Sequence, residues 1–317
     1  MEFELKEPVL IVGLGGAGCR LAIKAKERLD SECLLISHDA KDLESDCSRI
    51  MINTTPILNP SSYLIRGVSL GVFDGLKDRL ANYSTIIIIA NLAGKAGAAL
   101  APVISQAGKE LGKNVLSFGI MPFKFEKDRI FFSGVSLKRL KTNSDCTIIV
   151  DNDALLDSNP DLTPDSCNKI ANAALLEVIS SLKSSPVPLN TNILSTSKDM
   201  SDVQTSLRDS IKMLYEDVPP NSVKSTILYV MGGNKISVGM LNSMVNTVSG
   251  IFNDDSTRVS LSVVAAENSK TILLTSVEGE TRFDRYDPLG VIPNQNTIDW
   301  EDPDCSIKLD LELNQIE

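Results

Sequence analysis

The run Gly13-Leu14-Gly15-Gly16-Ala17-Gly18 fits the spacing G-x-G-x-x-G, between an apolar stretch, Val9–Leu14, and a helix-like stretch, Gly18–Arg28. Backbone N–H groups at such a strand–helix junction, aided by the helix dipole, bind phosphate. Asp39 lies about 20 residues further on, where an acid would hold an adenosine ribose. Three readings are open on this stretch: the pyrophosphate of a dinucleotide, the phosphates of a nucleoside triphosphate, or a tight turn that packs helix on strand. A second junction of the same kind occurs at Ile86–Val103, "IIIIANLAGKAGAALAPV". A dinucleotide enzyme needs one such loop, whereas a triphosphate gripped from two sides uses both.

Other chemistry-bearing residues are sparse. Asp199 and Asp202 are spaced i, i+3, so they share one face if a helix starts there. His38 is the only histidine, and Cys19, Cys33, Cys47, Cys146, Cys167 and Cys305 show no C-x-x-C spacing, which argues against a zinc site. The net charge of −10 argues against non-specific binding to nucleic acid or to an anionic membrane surface. The start, MEFELKEP, lacks the basic and apolar segments of a signal peptide, and Val9–Leu14 is far too short to span a bilayer. A cytoplasmic protein with free thiols, no nucleic-acid partner and no direct membrane insertion is expected.

The elements that must position these residues alternate. Strands are expected at Val9–Leu14, Cys33–Ser37, Ile86–Ala90, Asn114–Ile120 and Cys146–Val150, with helices at Gly67–Asn82 and Ala96–Leu111. Ile86–Ala90 carries no polar side chain, as a central parallel strand would. The pattern is α/β, a doubly wound parallel sheet whose ligand loops follow the strands. Residues 165–183 form one amphipathic helix, ended by Pro186 and Pro188. Beyond it a smaller α+β region carries helices at Val203–Tyr215 and Val238–Phe252 and strands in "STILYVMGG", "RVSLSVVAA" and "KTILLTSV". The expected division is 1–164, the helix 165–183, a second domain 184–277, and an acidic tail or packed extension 278–317.

Four stretches resemble the tubulin/FtsZ superfamily, nearest to FtsZ: "VGLGGAGCRLAI", "SHDAKDL", "ANLAGKAGAALAPV" and "MPFKFEKDR … DCTIIVDNDALL". They match, in order, the family's first glycine loop, its N-T-D-A-x-x-L, its A-G-M-G-G-G-T-G-T-G-A-A-P-V, and its P-F-x-F-E-G run followed by N-D-x-L-L. The P-F-x-F-E element is much more specific than a glycine loop. More weakly, "IANAALLEV" resembles the start of the family's central helix, where an asparagine meets the guanine base. Asn172 fits that position, with Asn168 as the second choice. "SKDMSDVQTSL" resembles N-x-D-F-A-D-V-x-T, the loop at the far end of that helix, with Asp199 and Asp202 on its two acids.

The resemblance implies GTP or GDP, with Mg2+ as an accompanying ion, held by Gly15, Gly16, Ala17, Gly18, Cys19, Arg20, Asp39, Gly94, Lys95, Ala96, Gly97, Glu126, Arg129 and Asn172. It further implies head-to-tail assembly, alone or with an FtsZ-type partner. The next subunit's Asp199 and Asp202 would activate water against the γ-phosphate. Departures weaken the activity more than the fold. In Ala93–Ala99 both threonines of the family loop are gone and three of its five glycines are replaced. Cys19, Arg20 and Lys127 stand for a glycine, an asparagine and a glycine. Arg129 lies one position from the family arginine, which matches Ile130, and Arg66 matches an arginine of a loop that is shorter here. Lys95 offers a cation in return. The alternatives are a pseudo-GTPase with a structural or regulatory role, and an NAD-type oxidoreductase, against which the absence of a catalytic histidine or tyrosine constellation counts.

Overall fold

The computed structural model describes residues 2–198, 202–232, 236–252, 258–264 and 270–287. The first half runs β1 (Glu2–Phe3), β2 (Val9–Leu14), α1 (Gly15–Leu29), β3 (Glu32–Ser37), β4 (Ser48–Met51), α2 (Ser62–Leu70), α3 (Phe73–Leu80), β5 (Thr85–Asn91), α4 (Lys95–Glu110), β6 (Asn114–Met121), α5 (Lys127–Asn143), β7 (Cys146–Asp151) and α6 (Asn152–Ser158). It continues through α7 (Pro164–Ser181), β8 (Val187–Pro188), β9 (Asn190–Thr196), α8 (Val203–Asp217), β10 (Val223–Met231), α9 (Val238–Phe252), β11 (Arg258–Val264) and β12 (Lys270–Val277).

Ten strands form one sheet in the order β11-β10-β12-β9-β7-β6-β5-β2-β3-β4. The seven from β9 to β4 are mutually parallel, while β12 runs antiparallel to both β9 and β10. The strands of the second region thus extend the first sheet through β7 and β9, with Cys146 opposite Asn190 and Val150 opposite Leu194. The isoleucine run explains the layering. Ile86 and Ile88 point into one core with α4, α5, α8 and α9, whereas Ile87 and Ile89 point into the other with α1 and α7. Pleating alternates the side chains, and helices on both faces leave no polar position.

Three departures from the sequence reading have local causes. The helix expected over Gly67–Asn82 is two helices, because the chain turns at Gly71, whose N–H bonds the Val68 carbonyl at 3.0 Å. α1 starts at Gly15 rather than Gly18, so the glycines are its first turn. The polar stretch before Ser62 contains β4, an edge strand whose exposed SRIM sequence carries no apolar alternation. Residues 282–286 form a 3-10 turn that returns to α5, where Gly134 leaves room for Tyr286. Trp300 and the rest of 288–317 lie outside the described residues.

Candidate functional site

Parallel strands put the loops after β2, β3, β5, β6, β7 and β9 at one end of the sheet. At the first loop, Leu14 enters α1 in an extended conformation, with no capping side chain and no acid in the first turn. The glycines divide into two uses. A methyl at Gly13 would come within 2.7 Å of the Ala22 Cβ, and one at Gly18 would collide with the Ile89 carbonyl, so these two let α1 lie on β2 and β5. Gly15 has φ +66°, a left-handed turn that glycine enters freely. A methyl on Gly15 would stand 3.0 Å from the Ala96 Cβ, so the two glycine loops touch there.

The second loop keeps its helix start despite its altered sequence. Asn91 Oδ1 accepts from the Ala93 N–H at 2.9 Å, and the Asn91 carbonyl accepts from Gly94 at 3.1 Å. No residue from Ala93 to Ala99 has a positive φ. Ala93, Lys95 and Ala99 therefore stand in place of glycine without backbone strain, contrary to what the lost glycines suggested. Gly97 is the strict one, since a methyl there would strike the Asn91 carbonyl. Lys95 is exposed at the first position of α4 and donates to Asn59 Oδ1 at 2.7 Å.

Several of the remaining predicted residues line two hollows. One, of about 530 Å³, opens at the α4 N-terminus beside His38, Gly94, Lys95, Arg129 and Phe132. Arg129 bonds Glu126 at 2.6 Å, and Glu126 also accepts from the Phe123 N–H at 3.1 Å. The other, a groove of about 700 Å³ between α1 and α7, is lined by Ala17, Arg20, Lys24, Lys169 and Asn172. Asn168 is engaged instead by Asn152, at 2.7 Å, which leaves Asn172 as the asparagine that faces the groove. Asp39 caps the 3-10 turn Ala40–Leu43 and accepts from Lys41 N–H at 3.0 Å. Cys19 is wholly buried, and burial, then the Asp42 charge, pushes its thiol up to about 12. It is a packing residue with its back to solvent.

The acid pair requires a correction. The segment at the far end of α7 is 182–189, and it leads straight into β9. Asp202 follows β9, which runs parallel to β7, so it sits at the loop end of the sheet and not at the far end of the central helix. The sequence match survived because the acid motif resembles the family's, but a whole strand separates it from the helix. Asp202 caps α8, accepting from Gln204 N–H at 3.2 Å and Thr205 N–H at 3.1 Å. The Thr205 hydroxyl, then these backbone donors, hold its carboxyl below the usual range. β9 is four strands from β2, ~19 Å at the normal strand spacing, so Asp202 does not join its own chain's glycine loops. Asp199 lies outside the described residues.

A polar cluster at this same end was not legible beforehand. Arg282 pairs with Asp151, and its guanidinium lies 3.5 Å from Asp217 and 3.8 Å from Asp153. Asp153 also takes the Lys124 backbone N–H at 3.0 Å and its ammonium at 3.1 Å. The cluster ties the P-F-K-F-E loop to α6, to the end of α8 and to the 282–286 turn. Burial raises the carboxyls of both Asp151 and Asp217, and the neighbouring Asp151 charge raises Asp217 further. Four segments far apart in sequence meet here, and no spacing rule foretells it.

The profile of the tubulin/FtsZ family GTPase domain matches residues 71–160, which hold the second glycine loop and the P-F-K-F-E run. Cell division protein FtsZ 2 of Methanocaldococcus jannaschii is 23% identical over 274 residues, covering 74% of this chain and 70% of that one. Cell division protein FtsZ 1 of Pyrococcus woesei is 25% identical over 221 residues, covering 65% of this chain and 58% of that one. Among solved structures, an empty FtsZ dimer of M. jannaschii superposes with a TM-score of 0.72 at 18% identity, over 89% of this chain and 92% of that one. Ordered motifs, the matched GTPase profile and the shared fold agree: the chain is FtsZ-like in fold and similar in sequence to proteins of the tubulin/FtsZ superfamily.

Proposed function

We propose that the protein holds a guanine nucleotide across the loop end of its sheet and associates head to tail, without hydrolysing it through acids donated by the next subunit. The base would lie in the α1–α7 groove against Asn172 and Arg20. The phosphates would meet the starts of α1 and α4 beside Lys95, with any Mg2+ carried on those phosphates. The ribose end would face Glu126 and Arg129. Support comes from the two uncapped helix starts, which offer free N–H groups to an anion, and from relatives named as FtsZ. The observation that carries the loss of hydrolysis is the segment Leu182–Leu189. It is the whole connection from α7 to β9, and it contains no Asp or Glu. This favours the pseudo-GTPase alternative over an active GTPase.

One preparation tests the reading. Nucleotide released by denaturing the purified protein is identified by mass, GTP turnover is followed, and assembly is read by sedimentation. GDP or GTP, concentration-dependent assembly and no sustained turnover are expected. Recovery of NAD(H), or a monomer without nucleotide at high concentration, overturns binding and assembly. Sustained turnover that Asp202→Ala abolishes overturns the hydrolytic part alone.

A further inference from the structure

The first turn of α1, with neither a capping side chain nor an acid of its own, looks outside the helix for a negative partner. The group that stands there belongs to the chain itself. A methyl added at Gly16 would lie 2.5 Å from Asp42 Oδ1 and 3.2 Å from its Cγ. Arg20 Nη1 would be 3.3 Å from the same methyl. Asp42 is held in place from two directions. Ser37 Oγ donates to its Oδ2 at 2.7 Å, and the 3-10 turn that carries it is capped by Asp39. One carboxylate oxygen is thus pinned, and the other faces the start of α1.

We propose that Asp42 sets the anion specificity of the first loop, its carboxylate standing in for a nucleotide phosphate against the α1 N-terminus. The inference rests on the guanine-nucleotide reading and deepens it. With Asp42 in place a charge of the phosphate's own sign stands beside Gly16 in the first turn of α1. A phosphate enters by turning the carboxylate away from Ser37, or by bringing a cation to lie between two anions. Like-charge repulsion makes that entry harder for each added phosphate charge. Arg20, whose Nη1 also lies beside Gly16, is the group that would hold the displaced carboxylate.

The test uses the full chain with a fluorescent GDP analogue and with inorganic pyrophosphate as competitor, at low and high salt. Asp42→Asn keeps the shape and removes the charge, Asp42→Glu keeps the charge, and Ser37→Ala frees the carboxylate without removing it. Thermal melting of each variant verifies its fold. Asp42→Asn is expected to tighten both ligands about tenfold, an effect that high salt reduces. Asp42→Glu stays near the parent, and Ser37→Ala tightens less than Asp42→Asn. A parent that binds GDP as well as or better than Asp42→Asn overturns the inference and leaves the nucleotide reading standing. Failure of both parent and Asp42→Asn to bind GDP or pyrophosphate overturns both.

Discussion

Arg282 shows how much one side chain can be asked to balance. Asp151 and Asp217 are fully buried, and the Arg282 guanidinium is the cation that faces both. Arg282→Ala would leave them without it, and should destabilise the fold by about 3–5 kcal/mol in urea unfolding. Asp217 also sets a pH dependence. Its carboxyl titrates well above the ordinary carboxylate range because burial and Asp151 oppose its charge. The folded state therefore holds a proton that the unfolded chain releases. That contribution is complete below the ordinary carboxylate value and is lost as pH rises through the raised one. Stability measured across that interval should fall with pH in the parent and flatten in Asp217→Asn. An equal slope in both proteins would refute the assignment. Asp202 has the opposite sign, since its lowered carboxyl favours the fold above the ordinary value and loses that on acidification. The Arg282 cluster was illegible in the sequence because its partners come from β7, α8 and the 282–286 turn. The glycine loops were legible because all their parts are local.

At the scale of elements, glycine spacing proved more informative than glycine number. Gly18 lies where α1 crosses β5, and a methyl would meet the Ile89 carbonyl, which cannot move without breaking the sheet. Gly18→Ala should cost about 1–3 kcal/mol of overpacking. Gly67, in the middle of α2, has nothing within 4 Å of an added methyl. Gly67→Ala should raise stability by about 0.5–1 kcal/mol, through helix propensity. Paired denaturant curves verify both, and a reversed order would remove the packing argument. Periodicity read the long apolar elements well, as at Val238–Phe252 and Lys270–Val277. It missed β9, whose Asn190–Thr196 sequence, buried from Asn192 on, is largely polar. Its Asn192 side-chain NH2 donates inside the protein to the Pro188 carbonyl at 2.8 Å. That missed strand is what carried the acid motif to the wrong end.

For the molecule as a whole, the joined sheet and the returning turn make the two halves interdependent. β7 and β9 are paired over five residues, and α8 packs on both β9 and β12. Unfolding should be a single transition, with far-ultraviolet dichroism and amide exchange in β5 and β10 reporting one midpoint. Two resolved midpoints would show that the halves fold separately. The position of Arg282 adds a consequence for synthesis on the ribosome. The strand that ends in Asp151 emerges 131 residues before the arginine that neutralises it. At typical elongation rates this is roughly 7–26 s. Through that interval the nascent first half carries a carboxylate that it cannot bury. The chain should gain protease resistance late in translation, after residue 282 has cleared the exit tunnel.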